Sequence, residues 1–274
     1  MTTFTAFTPD DAAECIAVPS EHDDKYSRGV LGVITGSARY PGAAVLSVEA
    51  ALHTGVGMVR YLGDPQPSQL VLARRPEAVT AEGRVQAWLI GSGMDAAERD
   101  EDRILPALAQ ALPTILDGGA LELHDGATGP TVITPHYREL ARVLAVDAGV
   151  IAADPARWAR SASDTLGVTV LLKGHTTWVA GPGISLSAAA APAWLATAGA
   201  GDALAGILGA LVATHSADVA ADPTALARLA ATAAVLHGLA ATRASAGGPF
   251  TIVDLCLALP ATIASVVSRE AGAR

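Results

Sequence analysis

The chain reads as an α/β protein: a mostly parallel central sheet with helices on both faces. Three observations carry that expectation. Short β-branched runs alternate regularly with longer Ala- and Leu-rich segments. Several runs, such as Val30–Thr35, Ala87–Ile90 and Val168–Leu172, are continuously apolar, which fits strands buried on both faces. Finally, 51% hydrophobic, 16% charged and 4% aromatic residues in a chain of 274 describe a sizeable aliphatic core and not a disordered segment.

Taken in order, Val30–Thr35 is a strand, stopped by Gly36. Pro41-Gly42 opens a helix over Ala43–Thr54, and Gly55 ends it. Met58–Leu62 and Ala87–Ile90 are strands, with Asp64–Pro67 read as a loop between them. Ala96–Leu112 is helical, with Pro106 a kink or break. Pro113–Asp117 is a strand that ends in a carboxylate, and Asp125–Pro130 is a loop. Thr131–Thr134 is a strand, and Pro135-His136 starts a helix to Ala145. Asp154-Pro155 pairs a cap with a proline at the first helical position, opening a helix to Thr165. Val168–Leu172 is a strand. Thr176–Ala180 and Ile184–Leu186 form a hairpin around Gly181-Pro182-Gly183. Helices follow over Gly201–Ala213, Thr224–Ala241 and Val253–Ser268. No tandem repeat or linker interrupts this order, so residues 25–270 are expected to form one domain behind an amino-terminal extension, residues 1–24.

Charge and composition exclude several function classes. Eighteen Lys and Arg against 27 Asp and Glu leave a net charge of −9, which lacks the basic footprint of a nucleic-acid binder. Cys15 and Cys256 fit no metal spacing and no disulfide framework, which suits a reducing cytoplasm. Met1–Asp11 lacks a basic region followed by an apolar core, so no signal peptide is read there. The mean hydropathy of +0.38 raises the question of a membrane. The longest uncharged stretch, Gly174–Gly201, is broken by Pro182, Pro192 and many small polar residues, and reads as strands and loops of a protein without a membrane span.

Chemistry concentrates in a few places. Ala198-Gly199-Ala200-Gly201-Asp202 puts small residues at a helix start, where free N–H groups and the helix dipole hold anions. Asp202 then either caps its helix or sits beside a transferring phosphate to accept a proton; the residues alone leave both open. Lys173-Gly174-His175-Thr176-Thr177 follows a buried strand, at the end of the sheet where α/β proteins bind ligands. Gly32–Ala44 is a strand, a tight loop and a helix, but fits neither the dinucleotide fingerprint nor a P-loop. Gly91-Ser92-Gly93 is another glycine turn after a strand, and His136 lies at a helix start, where a structural hydrogen bond is its ordinary role. His53, His124, His215 and His237 share no metal-like spacing, and no Gly-x-Ser-x-Gly elbow occurs.

These motifs fall in one order: Lys25–Gly29, Gly36-Ser37, Tyr40–Ala44, Gly55–Gly57, Gly91–Met94, Thr134–Glu139, Lys173–Thr177 and Ala198–Asp202. In that order, over residues 25–268, the chain resembles the ADP-dependent NAD(P)H-hydrate dehydratases, which have a ribokinase-like three-layer fold. The resemblance implies repair of hydrated NADH or NADPH. ADP, or in some relatives ATP, drives loss of water from the S epimer and leaves AMP and phosphate. It implies that Asp202 is the general base and that Gly199, Ala200 and Gly201 offer an anion hole with it. It assigns Lys173, Gly174, His175, Thr176, Thr177 and Gly201 to the nucleotide, and Ala43, Gly93, His136 and Asp202 to the hydrate. It implies a magnesium ion on the phosphates, with protein ligands unknown, and a homotetramer. Residues 1–24 are too few for the epimerase domain that many relatives carry, so a separate epimerase is the expected partner.

Two positions depart from the family pattern. Ala200 stands where Thr is frequent, a change that a backbone anion hole tolerates. Gly119 stands where a second Asp is frequent, which leaves the loop Asp117–Leu121 without an assigned role. A small-molecule kinase of the same fold would share Asp202 and the anion hole; the Tyr40–Ala44 loop and Thr134-Pro135-His136 favour the dehydratase. A non-catalytic nucleotide-binding module would keep the glycine loops without needing Asp202.

Overall fold

The computed structural model describes residues 3–189 and 191–273; Met1 and Thr2 of the amino-terminal stretch lie outside them. Within them, nine strands form one sheet: β1 (Thr5–Ala6), β2 (Val30–Ile34), β3 (Met58–Tyr61), β4 (Ala87–Ile90), β5 (Thr114–Leu116), β6 (Thr131–Ile133), β7 (Thr169–Leu172), β8 (Thr177–Gly181) and β9 (Ile184–Ala188). The order is β1-β9-β8-β7-β6-β5-β4-β2-β3. Neighbours from β3 through to β7 are parallel, the β7–β8–β9 meander is antiparallel, and β1 joins β9 in parallel.

The continuous apolar runs are explained by burial on both sides. Leu31, Val33, Leu89, Ile115, Val132 and Leu171 point into one core layer. Their chain neighbours Val30, Ile34, Ile90, Leu116, Ile133 and Leu172 point into the other, as the two-residue period of a strand requires. The first layer is closed by α2 (Pro41–Thr54), α8 (Ala200–Thr214), α10 (Ala225–Ser245) and α11 (Ile252–Ala273). The second is closed by α4 (Glu101–Leu108), α5 (Tyr137–Val143), α6 (Ala148–Ala153) and α7 (Pro155–Leu166). This is the three-layer sandwich expected from the chain.

Alanine and glycine let the first layer pack closely. A Cβ on Gly206 of α8 would come within 2.2 Å of the Ser47 carbonyl oxygen of α2, so the two helices meet backbone to side chain. By length and composition α10 could cross a membrane, but it lies inside the fold with most of its apolar window buried. That burial accounts for much of the positive mean hydropathy. Cys15 and Cys256 are both free thiols.

The elements differ from the sequence reading in four places. Asp64–Pro67, expected as a loop, opens α3 (Pro65–Arg74); its prolines fall in the first turn, where no intrahelical N–H bond is lost. Ala96–Arg99 stays outside the helix expected over 96–112, because Asp100 caps α4 by accepting from the Arg103 N–H. Pro106 sits inside α4 without ending it. Part of the loop expected over Asp125–Pro130 belongs to a 3₁₀ segment, Gly118–Gly126. In addition, within residues 1–24, β1 extends the sheet and α1 (Pro9–Ala13) buries Ala12 and Ala13 in the first core layer.

Candidate active site

The carboxyl ends of the parallel strands converge with the amino-terminus of α8. Five segments meet there: the turn after β4, Asp117 after β5, Thr134–His136 after β6, Lys173 after β7, and Gly199–Asp202. Gly199 precedes α8 in the left-handed region at φ 90°, and a Cβ there would strike Leu46 of α2 at 2.6 Å. Only glycine turns the chain into the helix so close to its neighbour. Gly201 faces Lys173, whose Nζ would lie 3.4 Å from a Cβ at that position.

Lys173 is held at the centre. The parallel backbone step from Pro135 fixes it, with the Lys173 N–H donating to the Pro135 carbonyl at 2.8 Å. Its Nζ donates to Asp117 Oδ1 at 2.9 Å and lies 3.7 Å from Glu139 Oε2. Asp117 is 4% exposed. Its Oδ1 also accepts from Thr134 Oγ1 at 2.7 Å, and its Oδ2 accepts from Ser92 Oγ at 2.9 Å. Burial alone would raise its pKa, but the Lys173 charge and these donors hold the carboxyl below the usual range. Burial likewise opposes the charge on Lys173, and the surrounding carboxylates, Asp117 foremost, more than offset it, so the ammonium is held charged.

Asp202 is the opposite case. It stands in the first turn of α8, yet no side-chain hydrogen bond caps that helix, and among the described residues its carboxylate has neither hydrogen bond nor ion pair. The capping role open at the sequence level is therefore not the one it plays. Burial first, and then the negative charge of Asp117, push its pKa up to about 7, with Lys173 pulling the other way. A carboxyl group poised there can exchange a proton near neutral pH.

The residues singled out from sequence gather unevenly around this centre. Lys173, Gly174, His175, Thr177, Ala200 and Gly201 line one cleft; Thr176 lies beside it. Ala43 and Gly93 touch each other on the other side, where a Cβ on Gly93 would reach 2.3 Å from the Ala43 methyl. His136 caps α5: its Nδ1 accepts from the Arg138 and Glu139 N–H groups at 3.1 Å, and its own N–H donates to Glu139 Oε2 at 2.7 Å. It reaches Lys173 through Glu139. The sequence reading missed Asp117, Glu139, Ser92 and Thr134. The signal for Asp117 was present, a carboxylate ending a buried strand, but Gly119 in the same loop turned attention from it.

A fold of this order, with a helix amino-terminus, a lysine and a free carboxyl at the strand ends, defines a ribokinase-like α/β protein with a site for anionic ligands. Over residues 31–259 the chain matches the family described as NAD(P)H-hydrate dehydratase, and it belongs to that family. It is 42% identical over 222 residues to the bifunctional NAD(P)H-hydrate repair enzyme Nnr of Mycobacterium tuberculosis, an alignment covering 76% of this chain and 46% of that protein. The chain thus spans about half the length of that relative. It is 34% identical over 215 residues to the ADP-dependent (S)-NAD(P)H-hydrate dehydratase of Neisseria meningitidis, covering 71% and 72% of the two chains. The crystal structure of the ADP/ATP-dependent NAD(P)H-hydrate dehydratase of Bacillus subtilis, co-crystallised with ATP and Mg2+, superposes with a TM-score of 0.87 at 24% identity, covering 97% of this chain and 100% of that one. At that identity the likeness concerns the fold.

Proposed function

We propose that this chain catalyses ADP-driven dehydration of the S epimer of hydrated NADH or NADPH, restoring NAD(P)H and releasing AMP and phosphate. The observation that carries the reading is Asp202: a buried carboxyl, free of partners, raised to about 7 and set at a helix amino-terminus beside Lys173. Hydroxide leaves poorly from the hydrated ring. Asp202 takes the proton of the ring hydroxyl as its oxygen attacks the terminal phosphorus of ADP, and the bond from that phosphorus to the bridging oxygen breaks to give AMP. The phosphorylated oxygen then leaves as phosphate, and loss of a ring proton restores the dihydropyridine.

The backbone N–H groups of Gly199, Ala200, Gly201 and Asp202 face the charge that develops on the transferring group. Lys173, fixed by Asp117 and Glu139, adds a positive charge beside it. Lys173–Thr177 and Gly201 form the nucleotide site; Ala43, Gly93, His136 and Asp202 form the hydrate site. Among the described residues no three His, Cys, Asp or Glu side chains gather to hold a metal ion, and both Asp117 oxygens are engaged. This donor set fits a magnesium ion held mainly by the nucleotide's own phosphates, as that ion commonly is, with Asp202 the nearest free carboxylate; it would neutralise phosphate charge. An epimerase supplies the S epimer in this reading, and the protein acts in the cytoplasm as a homo-oligomer, a tetramer by its resemblance. Leu257, 55% exposed on α11, is one apolar group such an assembly would cover, and sedimentation as a monomer at micromolar concentration would refute it.

The test is direct. The protein is mixed with hydrated NADH, magnesium and ADP, then with ATP in place of ADP, and the reduced-nicotinamide absorbance is followed. Recovery with ADP is expected. Recovery with ATP alone would keep the reaction and change the donor. No recovery from folded protein that still binds nucleotide would turn the reading to a kinase acting on a hydroxymethyl group.

A further inference from the structure

The cleft beside Lys173 has a second wall that the assignments above leave unused. His237, on α10, is 7% exposed and lines this cleft together with Ala234, one turn earlier on the same helix face. Opposite stand Ala200 and Leu204 of α8, and Leu195 closes one side. The ring lies against the Ala200 backbone, yet its Nε2 is buried without any hydrogen-bond partner. Thr35 Oγ1, His124 Nδ1, Arg160 Nε and Trp178 Nε1 are also buried and unpartnered among the described residues, but none of those residues lines this cleft. Buried ring nitrogens are ordinarily satisfied, so a vacant one in a ligand cleft marks a hydrogen bond that the ligand completes.

We propose that His237 is a binding residue for the nucleoside half of the nucleotide, its neutral imidazole hydrogen-bonding the base or ribose through Nε2. This rests on the reading of the cleft as a nucleotide site. Charge selects the nucleoside over the phosphates. Burial, reinforced by the neighbouring Lys173 charge, pushes the imidazole down to about 4, so near neutral pH it offers no cation to a phosphate. Lys173 and the start of α8 already serve that end of the cleft. The walls beside His237 (Leu195, Leu204 and Ala234) are apolar and small enough to lie along a flat ring or a sugar, and a neutral donor-acceptor group set among such walls is the usual means of orienting one.

Calorimetry with ADP on the whole protein and on His237→Phe and His237→Gln tests this. The Phe variant keeps the ring volume and should bind ADP about tenfold more weakly, while Gln, which retains a hydrogen-bonding group, recovers part of the loss. In wild-type protein carrying 15N-labelled histidine, the His237 Nε2 signal, identified by its absence from the Gln variant, should shift on saturation with ADP and stay in place with inorganic pyrophosphate. Equal ADP affinity in wild type and the Phe variant overturns the proposal. So does an Nε2 signal that ADP leaves unmoved in wild type, a readout that holds even if the Phe variant fails to fold. An equal shift with pyrophosphate assigns the contact to phosphate and also overturns it. Absence of ADP binding in wild type is a separate result: it removes the nucleotide-site reading itself, and this inference with it.

Discussion

Two aspartates mark the two sides of the site, and their surroundings drive them apart. Asp117 ends a central strand and is held by Lys173, Thr134 and Ser92; Asp202 opens a helix and is held by nothing. Both are buried to a large degree, so desolvation acts on each in the same direction. The wired carboxylate nonetheless stays below the usual range, whereas the free one rises to about 7. Part of that rise comes from Asp117 itself, whose fixed charge opposes a second one nearby. The lesson is one of division: one carboxylate organises charge and the other is left able to exchange a proton.

The pair also divides in pH dependence. Asp117 has a folded-state pKa below its unfolded value, so its stabilising contribution is present above about pH 4 and is lost as pH falls. Asp202 has a folded-state pKa above its unfolded value, so its contribution is present below about pH 4 and is lost as pH rises towards about 7. Turnover, which needs the Asp202 carboxylate, should instead rise with pH through that same range.

The largest expected effect breaks the division outright. Asp202→Asn should lower turnover by roughly 10²–10⁴-fold while calorimetry still detects ADP binding. The same variant should melt slightly higher than wild type at pH 8, since a buried, unpaired charge is removed. Unchanged turnover would remove Asp202 from the proton transfer. Asp117→Asn comes next and acts in the opposite sense on stability. It strands the Lys173 ammonium and should cost about 3–5 kcal/mol in chemical denaturation. The acid limb of the pH–rate profile should also move to lower pH, because Asp202 loses a negative neighbour; a limb that stays in place would show that Asp117 does not set the Asp202 proton affinity. Thr134→Val removes a single donor to Asp117 and should cost about 1–2 kcal/mol with a smaller shift of the limb in the opposite direction, since Asp117 keeps its charge. The smallest effect belongs to His136→Ala, which should lose about 1 kcal/mol as a helix cap. A rise in KM for the hydrate well beyond what that destabilisation explains would give His136 a binding role as well.

The strand order, the two buried faces and most helix starts were legible in the chain because they rest on local patterns: apolar runs, caps and glycine stops. α3 escaped notice because its prolines were read as breakers when they sit in the one turn that tolerates them. Motif spacing pointed to Lys173–Thr177 and Gly199–Asp202, and their residues do meet around one cleft. Asp117 was visible as a strand-end carboxylate, but its partners Ser92, Thr134 and Lys173 lie 25, 17 and 56 positions away. His237 looked like one of several histidines without a pattern, and only the packing of α10 against α8 gives it a place. Local propensity and hydrophobic period act over a few neighbouring residues, so they specify elements, their order and which faces are buried. Charge, desolvation and hydrogen bonding at the site depend on groups that folding brings together from five segments, and for that reason the identical side chains of Asp117 and Asp202 acquired their different chemistry only in the folded chain.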